Sequence, residues 1–231
     1  LRQEFALSLL KTAALLGVSA LLVYAALPQL AADYRSFPGL DSRTVVWLIM
    51  QLHLMFAAFV LGVPIFALIV EIVGAATRDE RYDRLAWNFT QLVALAVITT
   101  AVSGVAGLGA LVFLYPKFMN FLGSIFTPTY LAYAGTIVLN AILLVLYYAT
   151  WQRMKGRLKW LHIGIGALLN ISGTALMCIA NAWTTFMMGP AGVTEAGQLV
   201  SLAQAIQNPL WWPINIHRFI ANIAFGGALA A

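Results

Sequence analysis

Between Arg43 and Glu71 the chain reads RTVVWLIMQLHLMFAAFVLGVPIFALIVE, with no Asp, Glu, Lys or Arg between the two ends. As a helix rising ~1.5 Å per residue it is about 42 Å long, enough to cross the ~30 Å hydrocarbon core of a bilayer. His53 stands ten residues after Arg43, ~15 Å in, well inside that core. Glu71 follows eighteen residues later, about five helical turns, and so shares the face of His53. Ionisable groups are costly at such depth and usually carry a function.

The rest of the chain has the same character. Of 231 residues, 62% are hydrophobic and 9% charged, and the mean hydropathy is +0.88. This composition predicts an all-α, polytopic transmembrane helical bundle. The excess of 13 Lys+Arg over 8 Asp+Glu does not mark a nucleic-acid binder, because the basic residues gather in short inter-helix loops, as topology signals do. The single cysteine, Cys178, excludes an internal disulfide, a cysteine metal cluster and paired-thiol cofactor attachment.

About six apolar spans are expected, near residues 7–30, 43–76, 86–115, 127–151, 160–188 and 214–231. The first is read as a retained extra N-terminal helix within 1–35, since no signal-peptidase site clearly follows its long apolar core. Residues 36–231 form the main bundle. The chain starts at Leu1 and stops inside an apolar run, which suggests part of a longer protein. If spans alternate, one side holds Arg2, Lys11, Arg78, Arg81, Arg84, Arg153, Lys155, Arg157 and Lys159, and the other Arg35, Arg43, Lys117 and Arg218. That asymmetry predicts a cytoplasmic N-terminus and puts the His53 end of span two outside. In the 189–213 segment, Glu195 to Ile206 is weakly amphipathic and Trp211 and Trp212 suit an interface. A short helix lying on the membrane is expected there.

Three histidines are available. Imidazole is the commonest axial haem ligand, and a helix can hold it rigidly against iron. His53 reads either as such a ligand or as a hydrogen-bonded core histidine. His217 opens the last span beside Arg218, which could pair with a haem propionate; an interfacial histidine is the alternative. His162 lies near the cytoplasmic boundary among basic residues and reads as structural. Glu71 is the only carboxylate within a span and is expected to snorkel to the inner surface. From Arg84 to Thr194 there is no acidic residue, so spans three to five offer no carboxylate for proton transfer. Gly104, Gly107, Gly164 and Gly166 read as close-packing positions.

Several landmarks together resemble subunit I of the cytochrome bd-type quinol oxidases, from about Ser42 to the end. Ser42-Arg43 precedes His53 by about ten residues, and LHLMFAAFVLGVP with Glu71 beyond it is similar to the family's HFLFVPLT…ME segment. Arg81 to Ala86 resembles its first cytoplasmic loop, and Gly123-Ser124-Ile125-Phe126 its G-D-I-F. Trp151-Gln152-Arg153-Met154 resembles W-D-R-L. Ala180-Asn181-Ala182-Trp183 with Gly189-Pro190 resembles A-N-x-W-M…P. Asn208-Pro209 and Arg218-Phe219 resemble N-P…K-F.

The resemblance implies that His53 is the axial ligand of a haem in the family's high-spin pair. Arg43, Asn181 and Trp183 would then lie around the haem, with Glu71 on the inner stretch of the same helix. Three departures stand out. The family's low-spin haem ligand falls at Ala221, and His217, one turn earlier on the same face, is the candidate substitute. The two helix-three glutamates tied to proton delivery fall near Ala132 or Tyr133 and at Asn140, and the M-E-F-Q-F-G stretch is replaced by Gly107 to Val112. The expectation is therefore a haem b-binding membrane subunit of a bd-like oxidoreductase in the bacterial inner membrane. It would sit with other membrane subunits and move electrons between a quinol pool and an acceptor such as a c-type cytochrome, with quinone a possible further cofactor. The alternatives are an oxygen-reducing quinol oxidase and a non-redox structural or transport subunit without haem.

Overall fold

The computed structural model describes residues 34–230, with Lys11 and Ala14 besides; the expected N-terminal helix within 1–35 lies outside them. Four long helices follow in order: α1 (Ser42–Thr77), α2 (Glu80–Leu114), α3 (Pro116–Thr150) and α4 (Lys159–Phe186). A short α5 (Leu202–Ile206) and then α6 (Trp211–Ala230) complete the described chain. With a single 3-10 turn, Gly156–Leu158, leading into α4, four helices are long and apolar enough to cross a membrane. The expected count of six comes down to these four among the described residues. The sixth expected span is α6, whose twenty residues include Asn215, His217, Arg218 and Asn222 and are correspondingly less apolar.

Local chemistry sets the ends of these helices. Asp41 caps α1 by accepting from the Thr44 N–H at 3.0 Å, which satisfies one of the first-turn donors. Arg78 closes α1 in the left-handed region (φ 57°), and Asp79 caps α2 at once, so α1 and α2 form a tight hairpin. Only Tyr115 separates α2 from α3, because Pro116 cannot continue α2 but suits the first position of a new helix. At 35 residues, α3 is ~52 Å long and begins eleven residues before the expected span. Its extra turns are used at its N-terminal end. There Met119, Leu122 and Phe126 pack against Ala182 and Phe186 of α4 and Ala205 of α5.

The 189–213 segment corrects the expected surface helix. Gly192 and Gly197 adopt φ of 70° and 78°, conformations that break a helix, and before the start of α6 only Leu202–Ile206 is helical. Ala205 is fully buried, and the Asn208 amide donates to Thr185 Oγ1 at 2.9 Å. The segment therefore folds down onto the ends of α3 and α4.

A second core lies toward the opposite end. Trp87, Tyr147, Tyr148 and Trp151 meet there with Val63, Leu144 and Leu169, and ring centroids stand 4.8 Å apart for Trp87–Tyr148 and 5.3 Å for Tyr147–Trp151. In lipid, helix association draws on contact and close backbone approach more than on hydrophobic drive. The α1–α6 crossing shows this: a Cβ added to Gly62 would stand 2.1 Å from the Asn222 carbonyl oxygen, and one on Gly226 would stand 2.7 Å from the Gly62 carbonyl carbon. Only glycine fits at this contact.

Candidate functional site

His53 points from α1 into α2. Its Nδ1 lies 3.0 Å from the Thr100 carbonyl and 3.3 Å from Ser103 Oγ. The Ser103 hydroxyl already donates to the Thr99 carbonyl at 2.7 Å, so both partners accept and Nδ1 carries the hydrogen. The neutral ring then keeps its lone pair on Nε2, the arrangement by which metal-binding histidines are fixed from behind. The ring lies over Gly104, where a Cβ would stand 2.9 Å from Cε1. Gly104 is thus a cradle for the imidazole, and Gly107 does the same for Met50, whose sulfur would be 2.7 Å from an added Cβ.

A polar group links α4 and α6. Arg218 Nη1 donates to Asn181 Oδ1, the Asn181 amide donates to Asn215 Oδ1 at 2.7 Å, and Asn215 donates to the Trp211 carbonyl at 2.8 Å. Asn181 is fully buried. A guanidinium offers five N–H donors, and among the described residues that of Arg218 meets only an amide oxygen. Trp183 sits between Tyr130 and Tyr133 of α3, centroids at 4.9 and 5.1 Å, both edge-on.

The structure does not bring every expected residue to this place. Arg43 is exposed at the start of α1, ten residues or ~15 Å from His53. His217 is exposed on α6. The pairings above run α2 and α4 antiparallel to α1 and α6, which makes α1 and α6 parallel. His53 and His217 each precede a glycine of the Gly62–Gly226 contact by nine residues, or 2.5 turns. They therefore lie at one depth on opposite faces of the α1–α6 pair. They cannot share an iron.

Glu71 corrects a second expectation, since it does not snorkel. It is fully buried, as is His162, and the His162 Nδ1 lies 2.5 Å from Glu71 Oε1. Lys159 Nζ stands 2.8 Å from the same oxygen, and Tyr147 donates to Oε2 at 2.5 Å. His162 Nε2 faces the Tyr147 carbonyl at 2.8 Å, and Lys159 also pairs with Asp83. Sequence reasoning placed His162 at the boundary and passed over its partner. The available signal was the lone in-span carboxylate: Glu71 lies six residues before the end of α1, and His162 three after the start of α4, at one level.

Comparison with known proteins follows from this geometry. The family model described as cytochrome bd terminal oxidase subunit I matches residues 42–231. The chain belongs to that family. Among solved structures it is similar to the bd oxidase from Geobacillus thermodenitrificans, with 25% identity and a TM-score of 0.73. That match covers 79% of this chain and 42% of the Geobacillus chain, so this chain spans less than half of its relative's length. No curated protein matches. The chain is thus a multi-pass membrane protein of the cytochrome bd subunit I family.

Proposed function

We propose that this chain is a haem b-binding subunit of a bd-like complex in the bacterial inner membrane, N-terminus cytoplasmic, that carries electrons between a quinol pool and an acceptor such as a c-type cytochrome. The observation that carries the reading is His53, with Nδ1 tied to the Thr100 carbonyl, its ring seated on Gly104, and Nε2 left as the ligand atom. The residues fit the group. Arg218, fixed by Asn181 and short of an anion, suits a propionate carboxylate. Asn181 orients that guanidinium, while Trp183 turns to Tyr130 and Tyr133 of α3 instead. His217, at the same depth on the opposite face, serves a second haem in place of the histidine missing at Ala221, and Arg43 acts at the outer rim. Haem b supplies a one-electron iron centre when bound.

The test is a reduced-minus-oxidised spectrum of the purified complex, with a pyridine haemochrome assay and with carbon monoxide. Two b-type signals are expected, one lost in His53→Ala and the other in His217→Ala. A complex with no haem b ends the proposal. The reading as an oxygen-reducing quinol oxidase is favoured by one observation, the buried Glu71–His162 pair, which gives the bundle a protonatable group despite its acid-free spans. Rapid carbon monoxide binding to the reduced complex, with quinol-driven oxygen uptake, decides for it.

A further inference from the structure

Four helices bring ionisable groups to one point away from His53: Glu71 from α1, Asp83 from α2, Tyr147 from α3, and Lys159 with His162 from α4. Both ring nitrogens of His162 face acceptors, the Glu71 carboxylate and the Tyr147 carbonyl. A neutral imidazole has a single N–H, so this geometry calls for the imidazolium. Lys159 and His162 then balance Glu71 and Asp83, and the cluster is neutral as a whole. Side-chain exposure falls from 37% at Asp83 through 12% at Lys159 to 0% at Glu71 and His162. The polar chain therefore runs from the basic end of the bundle into its interior.

It does not stop there. The Tyr147 ring stacks on His162 with centroids 4.5 Å apart, and the same residue lines a small apolar space of about 10 Å3. Pro64, Val93, Leu144 and Leu169 separate this space from a second cavity of about 50 Å3 lined also by Asn140 and Asn170, enough for a few waters. Pro64 has no N–H to give the Val60 carbonyl one turn earlier, and Val60 is part of that cavity's wall. Asn140 and Asn170 are anchored, Asn140 to Ser172 Oγ at 2.7 Å and Asn170 to the Gly166 carbonyl at 2.9 Å. Tyr147, Asn140 and Tyr133 recur every seven residues on α3 and so share one face, ~10 Å apart. That face leads from the cluster to Trp183.

We propose that Glu71, His162 and Tyr147 form a buried proton-loading site, filled from the basic end through Asp83 and Lys159 and emptied into the cavity beside Asn140 and Asn170. In the loaded form His162 holds the proton on Nδ1 against the Glu71 carboxylate. Transfer to Oε1 and on to cavity water leaves neutral imidazole, two carboxylates and one ammonium, a net charge of minus one. A proton taken from water at Asp83 restores neutrality. A buried ion pair of this kind is a poor stabiliser relative to packed apolar residues, so stability alone does not account for it. The destination of the proton rests on the haem-binding reading above; the site itself does not.

The experiment uses the purified complex and its Glu71→Gln and Tyr147→Phe forms. Infrared difference spectra between about pH 5 and about pH 9 are expected to show a shift of the Glu71 carboxylate band as His162 loses its proton, a shift that responds to deuterated water and is absent in Glu71→Gln. Proton uptake on haem reduction is expected to slow by at least about tenfold in both variants, with haem content at the wild-type level. If Glu71→Gln does not assemble, Tyr147→Phe carries the kinetic arm, because it keeps the stacked ring and removes only the hydroxyl. A Glu71 carboxylate band that does not shift with pH, or wild-type uptake in Tyr147→Phe, overturns the proposal and leaves a structural pin. A wild-type complex without haem removes the haem reading alone, since the infrared measurement still reports on the site.

Discussion

Replacing Gly104 by alanine tests the haem site through a residue that touches no haem. The new Cβ would stand 2.9 Å from His53 Cε1 and 3.2 Å from Nδ1, whereas carbon atoms rest at ~3.5–4.0 Å. The ring must retreat by about 0.6 Å or more, which stretches the 3.0 Å bond to the Thr100 carbonyl beyond useful hydrogen-bond length. Losing that bond costs about 1 kcal/mol, and holding the ring off its rotamer adds about 1 kcal/mol. Together they weaken haem retention about 30-fold. The fold survives, because Ala is about 1 kcal/mol better than Gly within a helix and the displaced group is a side chain. The assay is the rate of haem loss from the purified complex to a scavenger protein in excess. Gly109→Ala is the control, since nothing lies within 4 Å of its Cβ position. Wild-type haem loss in Gly104→Ala would refute the argument that this glycine seats the ligand.

Other outcomes follow from the same geometry. Gly62→Ala sets a Cβ 2.1 Å from the Asn222 carbonyl oxygen, where backbone meets backbone, so α6 must separate; a loss of about 1–3 kcal/mol and a lower thermal midpoint in detergent are expected. Asn181→Leu leaves the Arg218 guanidinium without its described partner and is expected to cost about 1–3 kcal/mol, read as lower thermal stability together with faster haem loss. The hydrogen bond from the Arg81 side chain holds the Asp79 carboxyl below its ordinary value of 3.8. This depressed group stabilises the α2 start above its unfolded pKa and ceases to as pH falls through the folded one. The difference in thermal midpoint between wild type and Asp79→Ala is therefore expected at neutral pH and to shrink below about pH 4.

The helices were legible because span length and apolarity are imposed by the bilayer, and α1, α2 and α4 begin and end within a few residues of expectation apart from the polar first turns of α2. The start of α3 was not, because Lys117 and Asn120 interrupt its hydropathy, and its first turns answer to the folded-down 189–213 segment. His53 was legible by depth, and its fixing from behind by Thr100 was not, since a backbone carbonyl leaves no mark on a sequence. The Glu71 partners were missed for a related reason. Lys159 was counted as loop charge and His162 was read as a structural histidine at the boundary, and a charge count does not distinguish a residue facing water from one facing a carboxylate across the bundle. Which face of α6 His217 occupies was not legible, because it required the Gly62–Gly226 contact.

The ion cluster also bears on how the protein is made. Glu71 enters the membrane with α1, yet its partner His162 lies 91 residues later. At about 5–20 residues per second, α1 waits several seconds or more for α4 to emerge. During that interval Glu71, six residues before the end of α1, has no counter-charge in the bundle, and an ionised carboxylate without one is costly away from the headgroups. Glu71 must enter protonated or lean to the headgroups, and it settles into its buried place only when Lys159 and His162 arrive. Assembly of the bundle is thus completed by the fourth helix rather than helix by helix, and truncation before Lys159 leaves a chain whose first span is still waiting for its counter-charge.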